Sequence, residues 1–137
     1  RNPGIVYASI SGFGSGLGAD IPGYDLMVQA MSGLMSLTGD PAGSPYRAGI
    51  SVFDVMSGMH AAIGILAARA HRVTSGRGQH VEVNLLSSAL SALVNHASAY
   101  VAGNTVPFRM GNAHPSLFPY EPLPTSDGEL VVIIDRR

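Results

Sequence analysis

With 137 residues, 46% of them hydrophobic and 12% charged, the chain can bury roughly two thirds of its unfolded surface as one ordinary globular domain. A net charge of −1 without a basic run argues against a nucleic-acid surface, and no apolar stretch reaches the ~18 residues free of polar interruption that a membrane span needs. The absence of Cys removes disulfides, thiolate metal sites and a thiol nucleophile, and the absence of Lys, all eight cations being Arg, removes Schiff-base chemistry and a phosphate-loop lysine.

Residues 5–10 are short, β-branched and nearly continuously apolar, which predicts a strand buried on both faces of a parallel sheet, ended by the Gly-rich run 12–18. From Asp25 onward, Leu26, Met27, Ala30, Met31, Leu34 and Met35 recur at helical spacing and predict one helix, closed by Gly39, Asp40, Pro41 and Gly43. A second helix is expected from Asp54 to about Arg72, then a turn over 74–78, a strand over 80–83 and a third helix over about 85–101. After Gly103, the stretch with Pro107, Pro115, Pro119, Pro122 and Pro124 is expected to hold no regular element. The turn Ser126-Asp127-Gly128 then leads into a terminal strand through Val131, Val132, Ile133 and Ile134. The order of elements predicts an α/β fold with a Pro-rich connection into a second domain. Arg1-Asn2-Pro3 carries neither an initiator Met nor a signal pattern, and both ends read as cut from a longer chain.

Asp54 is the single charged side chain between Arg47 and Arg69, in a run holding Ile50, Val52, Phe53, Val55, Met56, Ile63 and Leu66. Removing an ionised carboxylate from water is costly without compensation, so Asp54 caps a helix, pairs with a distant cation, or is held ready for chemistry. An Asp before an apolar helix is a favoured N-cap. A carboxylate at the positive end of a helix is also usable as a nucleophile toward an activated acyl group. Gly14-x-Gly16-x-x-Ala19 superficially fits a dinucleotide fingerprint, but Asp20-Ile21-Pro22-Gly23 stands where the helix should begin, and a flexible turn leading out of a sheet is the better reading. Among His60, His71, His80, His96 and His114 no HxxxH or HExxH pair occurs, so no metal site is expected. His60, six residues after Asp54, reads as a partly buried helix residue, and His114, in a loop, is a candidate for lining a pocket. No Gly-x-Ser-x-Gly elbow supports serine-hydrolase chemistry.

A further set of motifs appears in order: Gly12-Phe13-Gly14, Pro22-Gly23-Tyr24-Asp25, Gln29-Ala30-Met31-Ser32-Gly33-Leu34-Met35, Thr38-Gly39, Val52-Phe53-Asp54-Val55-Met56-Ser57-Gly58-Met59-His60, Thr74-x-Gly76-Arg77-Gly78-Gln79 and Gly111-Asn112-x-His114-Pro115. Together they resemble the family III CoA-transferases, the group that holds formyl-CoA transferase, carnitine CoA-transferase and α-methylacyl-CoA racemase. The resemblance covers essentially the whole chain. It implies that residues 1–84 are the C-terminal part of a large Rossmann-like CoA domain, 85–107 a linker helix region and 108–137 the start of a small α+β domain, in an interlocked homodimer. It implies coenzyme A as a co-substrate with no tightly bound cofactor and no metal, acyl-CoA and carboxylic acids as small-molecule partners, no nucleic acid or membrane partner, and a cytoplasmic setting.

Residue by residue, the resemblance places the family's catalytic aspartate at Asp54 and sets Gly23, Tyr24 and Asp25 in the stretch that lies against CoA and the reacting acyl group. In the transferases that carboxylate attacks the acyl-CoA thioester to give a mixed anhydride, then an aspartyl-CoA thioester. In the racemase branch a His stands where this chain has Tyr24, and a phenol is a poor base near neutrality, so transfer is preferred to α-proton exchange. Some transferases carry a Lys two residues before the Tyr; here that position is Pro22. The competing reading is an inactive, non-catalytic CoA-binding segment.

Overall fold

The structure is a computed structural model that describes residues 2–133; Arg1, and Ile134 of the predicted last strand with the charged end after it, lie outside the described residues. The apolar N-terminal run forms β1 (Tyr7–Ser11), which pairs in parallel with β2 (His80–Asn84) from Tyr7 opposite His80 to Ser11 opposite Asn84. Side chains alternate across a strand, so Ala8, Ile10, Val81 and Val83 share one face while Tyr7, Ser9, His80 and Glu82 share the other. That second face is polar: Ser9 Oγ lies 2.7 Å from His80 Nε2, and the Tyr7 and His80 rings are 5.0 Å apart. The parallel pairing agrees with the sequence, but burial on both faces does not hold, because Tyr7 and Ile10 are exposed and only two strands pair here among the described residues.

Between β1 and β2 the chain makes α1 (Asp25–Met31), α2 (Leu34–Leu37) and α3 (Val52–Ser75). The single helix expected from Asp25 through Met35 is thus two. Gly33 takes φ 92°, a left-handed conformation open to glycine, and breaks the run that the apolar spacing carries straight through. The long helix α3 ends where Gly76 turns left-handed and donates its N–H to the Arg72 carbonyl at 2.9 Å. It lies against the sheet at Gly64, where a Cβ would sit 2.5 Å from Val81 Cγ1. Among the described residues α3 is long and apolar enough to cross a membrane by length and composition alone. Polar residues such as Ser57, His60 and Arg69 interrupt it, so no uninterrupted apolar stretch in the sequence marks it as a span. Phe53, Ser57, Ala61 and Ala68 are buried along one side of it, while Val55, Met59, Ile63 and Leu66 form an exposed row at helical spacing.

After β2, Asn84 caps α4 (Leu85–Ala92) by accepting the Ser87 N–H at 2.8 Å, and α5 (Val94–Gly103) follows. The third predicted helix is therefore also two, broken at Val94, whose φ of 28° interrupts the ladder. The core joins the helices: Val28 of α1, Phe53 of α3 and Leu85 and Ala89 of α4 are buried together, with Phe13, Leu34, Val52 and Met56 packed around them. Burying a side chain such as Phe53 contributes about 1.5–3 kcal/mol.

The Pro-rich stretch does hold a regular element, contrary to expectation. β3 (Tyr120–Pro124) pairs antiparallel with β4 (Glu129–Ile133), Pro122 opposite Val131 and Pro124 opposite Glu129. Successive residues of a strand point their backbone groups to opposite sides, and Tyr120 turns its carbonyl away from β4 to accept the His114 N–H at 3.2 Å. Pro122 and Pro124 share that parity, so the N–H groups they lack are ones the ladder does not use. Thr125, of the opposite parity, donates its N–H to Gly128 at 2.8 Å and closes the turn expected at 126–128.

Candidate active site

The N-terminus of α3 leaves backbone N–H groups without carbonyl partners, and Ser51, its N-cap residue, supplies no side-chain cap. The cap comes from another helix. Asp25 Oδ2, on the first residue of α1, accepts the N–H of Phe53 at 2.7 Å and that of Asp54 at 3.3 Å. These are the second and third residues of α3, the two positions a helix's own N-cap side chain would serve. Asp54 is therefore not the cap that its sequence position suggests. It sits in the first helical turn with its backbone held from below and its side chain exposed, without a hydrogen-bonding or ion-pair partner among the described residues.

Asp25 itself is buried, at 7% exposure, and its other oxygen accepts from Gln29 Nε2 one turn along α1. A buried carboxylate is tolerated when it is fully hydrogen-bonded, and no buried polar side-chain atom among the described residues lacks a partner. The structure thus places the Asp25 carboxylate inside the fold.

Tyr24 stands at the N-cap of α1 in an extended conformation, with its carbonyl taking the Val28 N–H and its side chain 69% exposed. Gly23 packs directly on Gly12: a Cβ on Gly23 would lie 2.5 Å from Gly12 Cα. That contact brings the two ends of the loop 13–22 together, and Gly12 also accepts the Leu86 N–H at 3.0 Å, which ties the loop's base to α4. No helix starts until Asp25, so the glycine run has no helix N-terminus at its end to cradle a pyrophosphate.

Of the residues singled out in the sequence, Gly23, Tyr24, Asp25 and Asp54 are brought to one place, where the start of α1 meets the start of α3. His60 is held elsewhere on α3: its Nδ1 lies 2.9 Å from Ser88 Oγ, which also meets the buried Ser57 hydroxyl at 3.0 Å. This agrees with its reading as a partly buried helix residue. His114 organises a turn, its Nδ1 accepting the N–H groups of Ser116 and Leu117 at 3.1 Å each and its ring lying 4.9 Å from that of Tyr120. A cavity of about 390 Å³, lined by Ser32, Leu37, Leu90, His96, Tyr100 and Pro107 among others, lies between α2 and α5 and includes none of Gly23, Tyr24, Asp25 or Asp54. Sequence reasoning missed Gln29, whose polar side chain within the apolar pattern of α1 was the available signal.

Residues 1–136 match the profile described as CoA-transferase family III. The chain is 45% identical over 134 residues, 97% of its length, to a succinate-glutarate CoA-transferase of Agrobacterium fabrum, and 40% identical over 131 residues, 95% of its length, to a succinyl-CoA:glutarate CoA-transferase of Mus musculus. It covers 34% and 30% of those proteins, about a third of their length. Among solved structures it resembles a CAIB/BAIF family protein from Brucella suis, with a TM-score of 0.86 at 41% identity, covering 96% of this chain and 35% of that one.

Proposed function

The chain belongs to CoA-transferase family III, and from that premise we propose that the full protein moves CoA between an acyl-CoA donor and a carboxylic acid acceptor, with Asp54 as the acyl acceptor. The names of the relatives, succinate-glutarate and succinyl-CoA:glutarate CoA-transferases, favour short dicarboxylic acids and their CoA thioesters as the substrate class. The observation that carries the reading is the exposed Asp54 carboxylate on a helical turn whose backbone is pinned by the buried Asp25.

The proposed reaction has four steps. The Asp54 carboxylate attacks the thioester carbonyl and expels CoA thiolate, leaving a mixed anhydride. The thiolate then attacks the Asp54 carbonyl, releasing the donor's acid as its carboxylate and leaving an aspartyl-CoA thioester. The acceptor carboxylate attacks this thioester and expels the thiolate again, forming a second anhydride. Attack of the thiolate on the acceptor's carbonyl gives the new acyl-CoA and restores Asp54. No net proton or electron is transferred. Each anhydride must be kept from water, because hydrolysis would discard the activation.

Asp54 and Tyr24 are both open to solvent within this chain, so the walls that exclude water belong to further chain or to a second copy. The exposed row Val55, Met59, Ile63 and Leu66 supports an apolar surface that one of these covers. In this proposal the covered assembly is the interlocked homodimer, residues 1–84 end a Rossmann-like CoA domain, and Gly23 and Tyr24 lie against CoA. The test is production of glutaryl-CoA from succinyl-CoA and glutarate by the full-length protein and by its Asp54→Ala variant. Transfer that disappears in the variant supports the reading. Exchange of an α-proton with deuterated water, dependent on Asp54 and without transfer, would replace it with racemisation.

A further inference from the structure

Gln29 is completely buried, an uncommon place for a carboxamide, and each end of its amide is spent on the approach to Asp54. Its Nε2 donates to Asp25 Oδ1 and to the Ile50 carbonyl at 3.3 Å, and its Oε1 accepts the Ala48 N–H at 2.8 Å. Ala48 and Ile50 belong to the segment that delivers the chain into α3, and Asp25 is the cap of that helix. The same side chain therefore fixes the route into the helix and the carboxylate that holds its second and third residues.

We propose that Gln29 is a positioning residue for Asp54: by orienting Asp25 and anchoring Ala48 and Ile50, it sets the place from which the Asp54 carboxylate attacks. The assignment rests on the function proposed above. A bent or shifted first turn of α3 would leave Asp54 chemically intact but displaced, and displacement of a reacting group by about 1 Å costs on the order of a hundredfold in rate. The amide's donor and acceptor ends are not interchangeable here, since one faces a carboxylate and the other an N–H.

Two substitutions separate positioning from packing. Gln29→Met retains length and apolar contact but removes both hydrogen-bonding ends. Gln29→Glu keeps an acceptor for Ala48 but sets a second carboxylate against Asp25, so a donor returns only when the pair holds a proton. The charged groups nearest Gln29 on the packed elements are Asp25 on α1 and Asp54 in the first turn of α3, with Arg47 just before the anchored segment; His60, Arg69, His71 and Arg72 lie further along α3, and α2 and α4 contribute none.

The experiment uses the full-length protein with succinyl-CoA as probe, following the single-turnover appearance of the adduct on Asp54 by rapid quench and mass spectrometry, beside thermal melting. Gln29→Met is expected to slow adduct formation about tenfold to a hundredfold, with half-saturation by succinyl-CoA moving less than about threefold. Gln29→Glu is expected to be as slow near about pH 8, with its rate relative to wild type rising at least about fivefold by about pH 6. Folded Gln29 variants that form the adduct at the wild-type rate, while Asp54→Ala forms none, would overturn the assignment and leave the proposed function standing. An adduct persisting in Asp54→Ala would overturn both. If Gln29→Met does not fold, Gln29→Glu decides, and a rate ratio independent of pH overturns the assignment.

Discussion

The buried carboxylate of Asp25 accepts the backbone N–H of Asp54 at 3.3 Å, so one aspartate holds the helical turn on which the other is exposed. The pair divides two tasks that a single residue before an apolar helix would have to combine. Asp25, 28 positions from Phe53 in sequence, caps α3, and Asp54 is left with its side chain unengaged among the described residues. In the proposed reaction, a nucleophile that also capped its own helix would have to abandon the cap in order to react.

Asp25→Ala is expected to destabilise the protein strongly. The change removes a cap worth about 0.5–2 kcal/mol and leaves buried N–H groups and the Gln29 amide without an acceptor, at about 1–3 kcal/mol more. Chemical denaturation of wild type and variant measures this as a lower midpoint. An unchanged midpoint would mean that α3 does not depend on its borrowed cap.

Gly23→Ala is expected to fail for a steric reason independent of any ligand. The new Cβ would stand 2.5 Å from Gly12 Cα, backbone against backbone, and neither side can rotate away. Overpacking of this kind costs at least about 1–3 kcal/mol, and thermal melting should show the loss without CoA present. A variant that melts like wild type and loses only CoA affinity would contradict the close contact.

Ser88→Ala removes the hydroxyl that Ser57 and His60 share across α3 and α4. Ser57 and Ser88 are both buried, so the orphaned groups should cost about 1–3 kcal/mol, read from denaturation midpoints. In double-mutant cycles, the loss on Ser88→Ala should shrink when His60 is already Ala. Strict additivity would show that the contact carries no energy.

Asn84→Ala removes the side-chain acceptor for the Ser87 N–H at the start of α4 and should cost about 1 kcal/mol, whereas Asn84→Asp, which retains the acceptor, should cost little. Equal losses in the two variants would argue against capping.

Much of this architecture was legible in local sequence. A nearly continuous apolar run at residues 5–10 and alternation at 80–83 each announce a strand, and the turn residues 74–78 mark the far end of α3. What local pattern could not supply was long-range or conformational. Gly33 and Val94 break helices within runs whose apolar periodicity continues unbroken, and Val94 carries no local signal for a positive φ. Pro122 and Pro124 argue locally against a strand, but a proline's missing N–H matters only on the side facing a partner, and that parity is set by pairing. That Asp54 is not itself the cap is hidden from local pattern for a related reason: the acceptor for its N–H comes from a different helix. The expectation that Gly23, Tyr24, Asp25 and Asp54 share one site comes from family motifs, whereas Gln29's part depends on Ala48 and Ile50, which only the fold brings to it.

The central claim is that Asp54 forms a covalent acyl bond. Its most direct test is mass spectrometry of the full-length protein incubated with succinyl-CoA and quenched with hydroxylamine, comparing wild type with Asp54→Ala. The account predicts a hydroxamate on the peptide containing Asp54, absent from the variant. A wild-type protein that turns over substrate yet never carries that modification, or a variant modified to the same extent, would contradict it.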